Sequence, residues 1–139
     1  MMAKRSYYRF QAPEWQHKLF DKFYKNLFSA LPDVEGHFRS IDMKRQYSIV
    51  NRAIHILLEF SPDSSQEEKE NLESLTKKHA ALGLTRRHYE IFADTLVKTI
   101  GEFGQDDPDE LNAWRYALEP AIAFIWKCQE EARAHDVDV

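Results

Sequence analysis

At 139 residues the chain is expected to form a single domain, residues 1–139, with room for a real core. Hydrophobic residues at 43% and aromatics at 13% exclude a disordered chain, and only four glycines and five prolines argue for long helices over a loop-rich β fold. A net charge of -4 leaves no footprint for nucleic acid. The lone Cys128 excludes an internal disulfide and fits a reducing compartment. No apolar run reaches membrane-spanning length, and the polar start MMAKRSYYRF lacks a signal-peptide core. A cytoplasmic location with no membrane partner is therefore expected.

The elements read as helices in chain order. Pro13 suits a first helical turn, and Leu19, Phe20, Phe23, Tyr24, Leu27 and Phe28 follow helical spacing after it. The segment LPDVEGHF, Leu31 to Phe38, breaks that helix with Pro32 and Gly36. Asp42 is a candidate cap for a helix carrying Met43, Tyr47, Val50, Ile54 and Leu57 on one stripe. The polar SPDSSQEEKE places a loop before a short helix, with Ser64 or Ser65 as cap and an end near Gly83. Tyr89, Phe92, Ala93, Leu96, Ile100 and Phe103 then form one face. GQDDPDE reads as a turn whose Pro108 and acids open a last helix, with Pro120 as an internal kink site. There is no strand alternation and no internal repeat, so the class is an all-α bundle.

Three polar residues fall where a core is expected. Tyr24 reads either as a core tyrosine or as a donor into a pocket, and Gln46, one turn before Val50, as an exposed first-turn residue or a second donor. His79 lies near a helix C-terminus, where a cation is favourable by ~0.3–1 kcal/mol. The alternative is a neutral imidazole bound to a metal. No second ligand sits at metal-binding spacing on that helix, so a protein-only zinc site is not expected. A single protein ligand makes sense where a cofactor supplies the rest, as haem does. No glycine-rich phosphate loop or nucleophile elbow is present, and Cys128 reads as a filler among apolar residues.

The chain resembles the globins between about Trp15 and Glu131. FYKNLF (Phe23–Phe28) and the corner ending at Phe38 are similar to the second helix and following corner of bacterial globins. DMKRQYSIV (Asp42–Val50) resembles the start of the distal helix, and LTKKHAALGLTRRHY (Leu75–Tyr89) the proximal region. NAWRYAL (Asn112–Leu118) resembles the opening of the last helix. The likeness is closest to single-domain bacterial haemoglobins and the haem domain of flavohaemoglobins, and implies a globin fold of about six to eight helices around a crevice for haem b, iron protoporphyrin IX. It implies His79 as the axial iron ligand and Tyr24, Phe38, Gln46 and Val50 around the distal ligand. It further implies proximal support of His79 by Tyr89, ten residues on, and by Glu131 of the last helix, with Ile54, Phe92 and Leu96 as apolar pocket residues. The chain departs from flavohaemoglobins in a shorter stretch between Phe38 and Gln46, in its atypical start before Trp15, in Pro120 and in lacking a reductase module.

By that resemblance the protein is a pentacoordinate haem protein that reversibly holds a diatomic gas: dioxygen, nitric oxide or carbon monoxide. Two alternatives stand beside it. One is nitric oxide dioxygenation, or a peroxidase-like side activity, with an external reductase; the other is a haem-based gas or redox sensor acting through a partner protein. An anionic Glu131 would give His79 imidazolate character and favour the ferric state, whereas a neutral acceptor would favour simple binding. The polar distal pair suggests slow oxygen release, better suited to ligand chemistry than to bulk oxygen transport. The assembly is expected to be a monomer or a homodimer.

Overall fold

The computed structural model describes residues 2–80, 83–103 and 107–137, and the side chains of residues 3–79, 83–103 and 107–131. Among them are seven α-helices and no strand: α1 (Met2–Tyr8), α2 (Pro13–Ala30), α3 (Pro32–Glu35), α4 (Met43–Glu59), α5 (Gln66–Ala80), α6 (Arg86–Phe103) and α7 (Pro108–Val137). A 3-10 turn, Gly36–Phe38, follows α3. The all-α architecture expected from the spacing is therefore present.

The helix boundaries follow local chemistry. Pro13 and Pro32 open α2 and α3, where a missing N–H costs nothing. Asp42 caps α4 by accepting from the Lys44 N–H at 3.0 Å. Ser65, and not Ser64, caps α5: its hydroxyl accepts from the Glu68 N–H at 3.2 Å and reaches the Glu68 carboxylate at 3.3 Å. Ser64 instead closes the preceding turn on the Ser61 N–H. Gly83, at φ +74, turns the chain after α5 in a left-handed conformation that a side chain disfavours. The turn before α7 falls partly outside the described residues, but Asp107 accepts from the Asp109 N–H at its end.

Helix α2 packs along α6, α6 along α7, and α7 also supports α1, α4 and α5. Leu19, Phe20, Phe23, Leu96, Val97, Ile100, Trp114 and Leu118 are completely or almost completely buried at these contacts. The helical faces expected from α2 and α6 point inward, as their periodicity requires.

One feature differs from the sequence reading. The start of the chain is a seven-residue helix, α1, whose Ala3 and Tyr7, with the following Phe10, are almost wholly buried. Its short length hides the helical period, but its polar contacts are specific. Trp114 Nε1 donates to the Ser6 hydroxyl at 2.9 Å, and Ser6 in turn donates to Glu110 at 2.6 Å. Tyr7 hydrogen-bonds Asn51 of α4, and burial raises its phenol pKa. Helix α7 runs through Pro120, which lies inside it as the sequence places it. Proline deprives the carbonyl four residues back of its partner, and that residue is Tyr116, which is 80% exposed, so water can satisfy it.

The position of Gly83 yields a test. A Cβ there meets no neighbour within 4 Å, so Gly83→Ala is a pure backbone substitution. It should cost ~1–2 kcal/mol through the left-handed φ alone, read as a lowered urea midpoint with an unchanged slope.

Candidate functional site

The helices enclose a crevice lined almost entirely by apolar side chains. Its empty space is about 1030 Å3 with the open mouth included. One wall comes from α2 and α4, the other from α5, the start of α6 and the middle of α7. Among the described residues no acid, lysine or arginine lines it; its polar residues there are Tyr24, Gln46, Tyr89 and three histidines, His37, His79 and His88.

On the α2–α4 wall, Tyr24 is only 4% exposed. Its ring is held edge-on by Phe23 at 5.2 Å, stacked by Tyr47 at 5.8 Å and flanked by Phe28 and Phe38. Gln46 Nε2 donates to the Tyr24 hydroxyl at 3.1 Å. That bond uses a lone pair and leaves the phenolic hydrogen free to donate to another acceptor in the crevice. Burial raises the Tyr24 pKa to about 12, partly offset by the Gln46 hydrogen bond, so the group remains a neutral donor. Val50 and Phe38 line the same wall, as do Ile49, Ala53 and Leu57, one stripe of α4.

On the opposite wall His79 projects from the last turn of α5. Burial, and secondarily the Lys78 charge, lowers its pKa, which favours neutral imidazole. Among the described residues its buried Nδ1 has no hydrogen-bond partner. Tyr89 lies beside it with ring centroids 6.1 Å apart. Tyr89 is 6% exposed, and burial raises its phenol to about 12.

The proximal arrangement requires a correction at Glu131. Glu131 is exposed on the outside of α7, where its charge acts on Cys128. The residue that meets Tyr89 is Gln129: the Tyr89 hydroxyl donates to Gln129 Oε1 at 2.9 Å, and Gln129 Nε2 donates to the Leu84 carbonyl at 2.6 Å. Two residues along a helix rotate the side chain by about 200°, so a register counted from Trp114 that ends on Glu131 selects the wrong face. The detectable signal was that Gln129 shares a face with Ile122 and Ile125, which line the crevice.

A second correction concerns the apolar residues. Phe92 lines the crevice, but Ile54 and Leu96 do not; both are fully buried in the packed core. On α4 the lining stripe passes through Val50, Ala53 and Leu57, with Ile54 one position to its side. On α6 it stops at Phe92, one turn before Leu96. Leu27, Leu31, Val34, Leu75 and Leu84 line it and escape the sequence reading, which finds helical stripes but cannot say which of two inward-facing stripes borders a cavity.

His88 is placed differently from His79. Its Nδ1 accepts from the Thr85 N–H at 3.0 Å, closing the first turn of α6, and its Nε2 lies 3.2 Å from Asp33. With both nitrogens engaged, it is a structural residue bridging α6 and α3. His79, by contrast, has a buried nitrogen without a partner among the described residues. A deep apolar slot, a neutral imidazole on one wall and a free phenolic donor on the other suit haem, which needs an apolar seat and one axial nitrogen.

Comparisons with known proteins agree. The globin family model matches residues 21–125. Flavohemoprotein A of Dictyostelium discoideum is 30% identical over 121 residues, which cover 78% of this chain; the chain spans only 30% of that protein's length. A crystal structure from Pseudomonas aeruginosa, described as structurally highly homologous to a human hemoglobin, superposes with a TM-score of 0.79 at 26% identity, covering 92% of this chain and 95% of that one.

The buried phenols predict an alkaline limit. Tyr24 and Tyr89 ionise near 12 when folded and near 10 when unfolded. Above pH 10 the unfolded chain therefore gives up protons that the folded one keeps. The stability they contribute is full below pH 10 and falls as pH rises toward 12. Denaturation midpoints should drop across that interval, and drop less in Tyr24→Phe. With its fold, its crevice and these similarities established, the chain belongs to the globin family of haem-binding proteins.

Proposed function

We propose that the protein is a haem-binding globin that reversibly holds a diatomic gas, with His79 as the axial ligand and Tyr24 as the distal donor. The observation that carries this reading is the pairing across one apolar crevice of an imidazole with a buried, unpartnered nitrogen and a phenol with a free hydrogen. Haem b would fit as the cofactor and would supply the iron that binds the gas.

The chain's own residues then have distinct tasks. His79 would hold the metal through one ring nitrogen. The apolar wall of Leu27, Val34, Phe38, Val50 and Phe92 would take up the porphyrin, at ~25 cal/mol per Å2 of apolar surface removed from water. Gln46 fixes the Tyr24 hydroxyl, and Tyr24 donates its hydrogen to a ligand bearing partial negative charge. In a dry site such a hydrogen bond contributes ~0.5–1.5 kcal/mol or more to retention of the ligand. Gas binding by a polar distal pair supports retention and ligand chemistry over rapid transport.

Haem-loaded protein should have a Soret band that His79→Ala abolishes or greatly weakens; an intact band in that variant contradicts the axial assignment. Tyr24→Phe should speed dioxygen dissociation by roughly 3- to 10-fold, the loss of about one hydrogen bond. Gln46→Leu should have a smaller effect in the same direction, because Gln46 acts on the ligand through the tyrosine it orients. An unchanged rate in Tyr24→Phe removes Tyr24 from the distal site.

A further inference from the structure

The polar groups behind His79 have a fixed order. A backbone carbonyl can only accept, so the Gln129 end that faces the Leu84 carbonyl at 2.6 Å must be its amide nitrogen. The other end is then the oxygen, and the Tyr89 hydroxyl must be the donor in the 2.9 Å bond to it. The Tyr89 hydrogen is thereby committed away from His79, and toward the imidazole the phenol can offer only lone pairs. Every member of this chain is uncharged. The acids of α7 next to Gln129, Glu130 and Glu131, are exposed, and among the described residues no carboxylate lines the crevice.

An axial imidazole takes its donor strength from whatever accepts its second N–H: a carboxylate draws the proton and raises the basicity of the ligand, and a neutral acceptor does not. Axial donor strength is in turn one of the few means by which a protein sets the iron's preference between ferrous and ferric states.

We propose that Gln129 is a positioning residue that keeps the surroundings of His79 uncharged, so that the axial ligand is a neutral imidazole and the site is tuned to ferrous, reversible gas binding and not to ferric, bond-cleaving redox chemistry. This rests on the haem-binding reading above and specifies its electronic character. The amide at this position is the determinant: Gln129→Glu is nearly isosteric, keeps an acceptor for Tyr89, and places a carboxylate next to Tyr89, in the chain of groups behind His79. The same substitution loses the donor to the Leu84 carbonyl, so a disturbance of packing must be separated from an effect of charge. Gln129→Met, which loses the hydrogen bonds without adding charge, makes that separation.

The test is resonance Raman spectroscopy of the ferrous, ligand-free haem protein, with the ferric/ferrous midpoint potential measured on the same samples. Ferrous haem bound to a neutral imidazole and to an imidazolate serve as references. The wild-type iron–histidine stretch should lie with the neutral reference. Gln129→Glu should move it toward the imidazolate reference and lower the potential, while Gln129→Met should leave the frequency near that of the wild type. A wild-type stretch at the imidazolate position overturns the inference and leaves haem binding intact. So does a folded, haem-loaded Gln129→Glu with neither shift, or an equal shift in Gln129→Met. If Gln129→Glu does not take up haem, the wild-type frequency against the two references decides alone. The absence of any iron–histidine band in the wild type overturns the haem reading itself.

Discussion

A buried imidazole nitrogen with no hydrogen-bond partner costs a folded chain on the order of 1–3 kcal/mol. His79 Nδ1 has none among the described residues. Much of the surrounding structure bears on that one side chain. Helix α5 carries it in its last turn, and Gly83 turns the chain so that Leu84 and Tyr89 come back beside it. Helix α7 passes behind with Gln129, which clamps both of those residues. In the protein alone the arrangement is strained in the polar sense, and it becomes sensible when the imidazole binds a metal held in the apolar space it faces. Natural chains keep such local costs where function requires them.

The distal wall depends on the opposite principle. Tyr24 is over-determined: four aromatic neighbours set its ring, and Gln46 sets its hydroxyl. A donor fixed in this way requires little reorganisation when a ligand arrives. The two walls therefore divide the work, one leaving a nitrogen free for coordination and the other presenting a single oriented hydrogen. Because Gln46 acts through Tyr24, the pair behaves as one donor with a support and not as two equal donors. The three histidines of the crevice divide in the same sense. His88 is spent on Thr85 and Asp33, where its hydrogen bond lowers the Asp33 pKa; His37 is exposed; and His79 carries a buried Nδ1 with no partner among the described residues.

The fold was largely legible in the sequence because long amphipathic helices declare themselves by period. The stripes of α2, α4, α6 and α7, the cap at Asp42 and the terminator at Gly83 each follow from a local rule. The first helix was not legible, since seven residues give barely two turns, and Tyr7 and Phe10 look like any aromatic pair near a terminus. The site was legible only in part. Residue type and order brought Tyr24, Gln46, His79 and Tyr89 to one crevice. Spacing failed for Glu131 because a carboxylate was sought where the helix presents an amide. It also failed for Ile54 and Leu96, because a fully buried stripe and a cavity-lining stripe have the same period.

The central claim is that haem sits in this crevice with His79, among its three lining histidines, as the axial ligand. Proton NMR of the ferric, cyanide-bound haem protein tests it directly, since ring protons of the coordinated imidazole carry large hyperfine shifts. With histidines labelled and each lining residue substituted in turn, the account predicts one shifted ring, lost in His79→Gly and retained when His37 or His88 is replaced by glutamine. A shifted ring assigned to His37 or His88, or none at all, would contradict it.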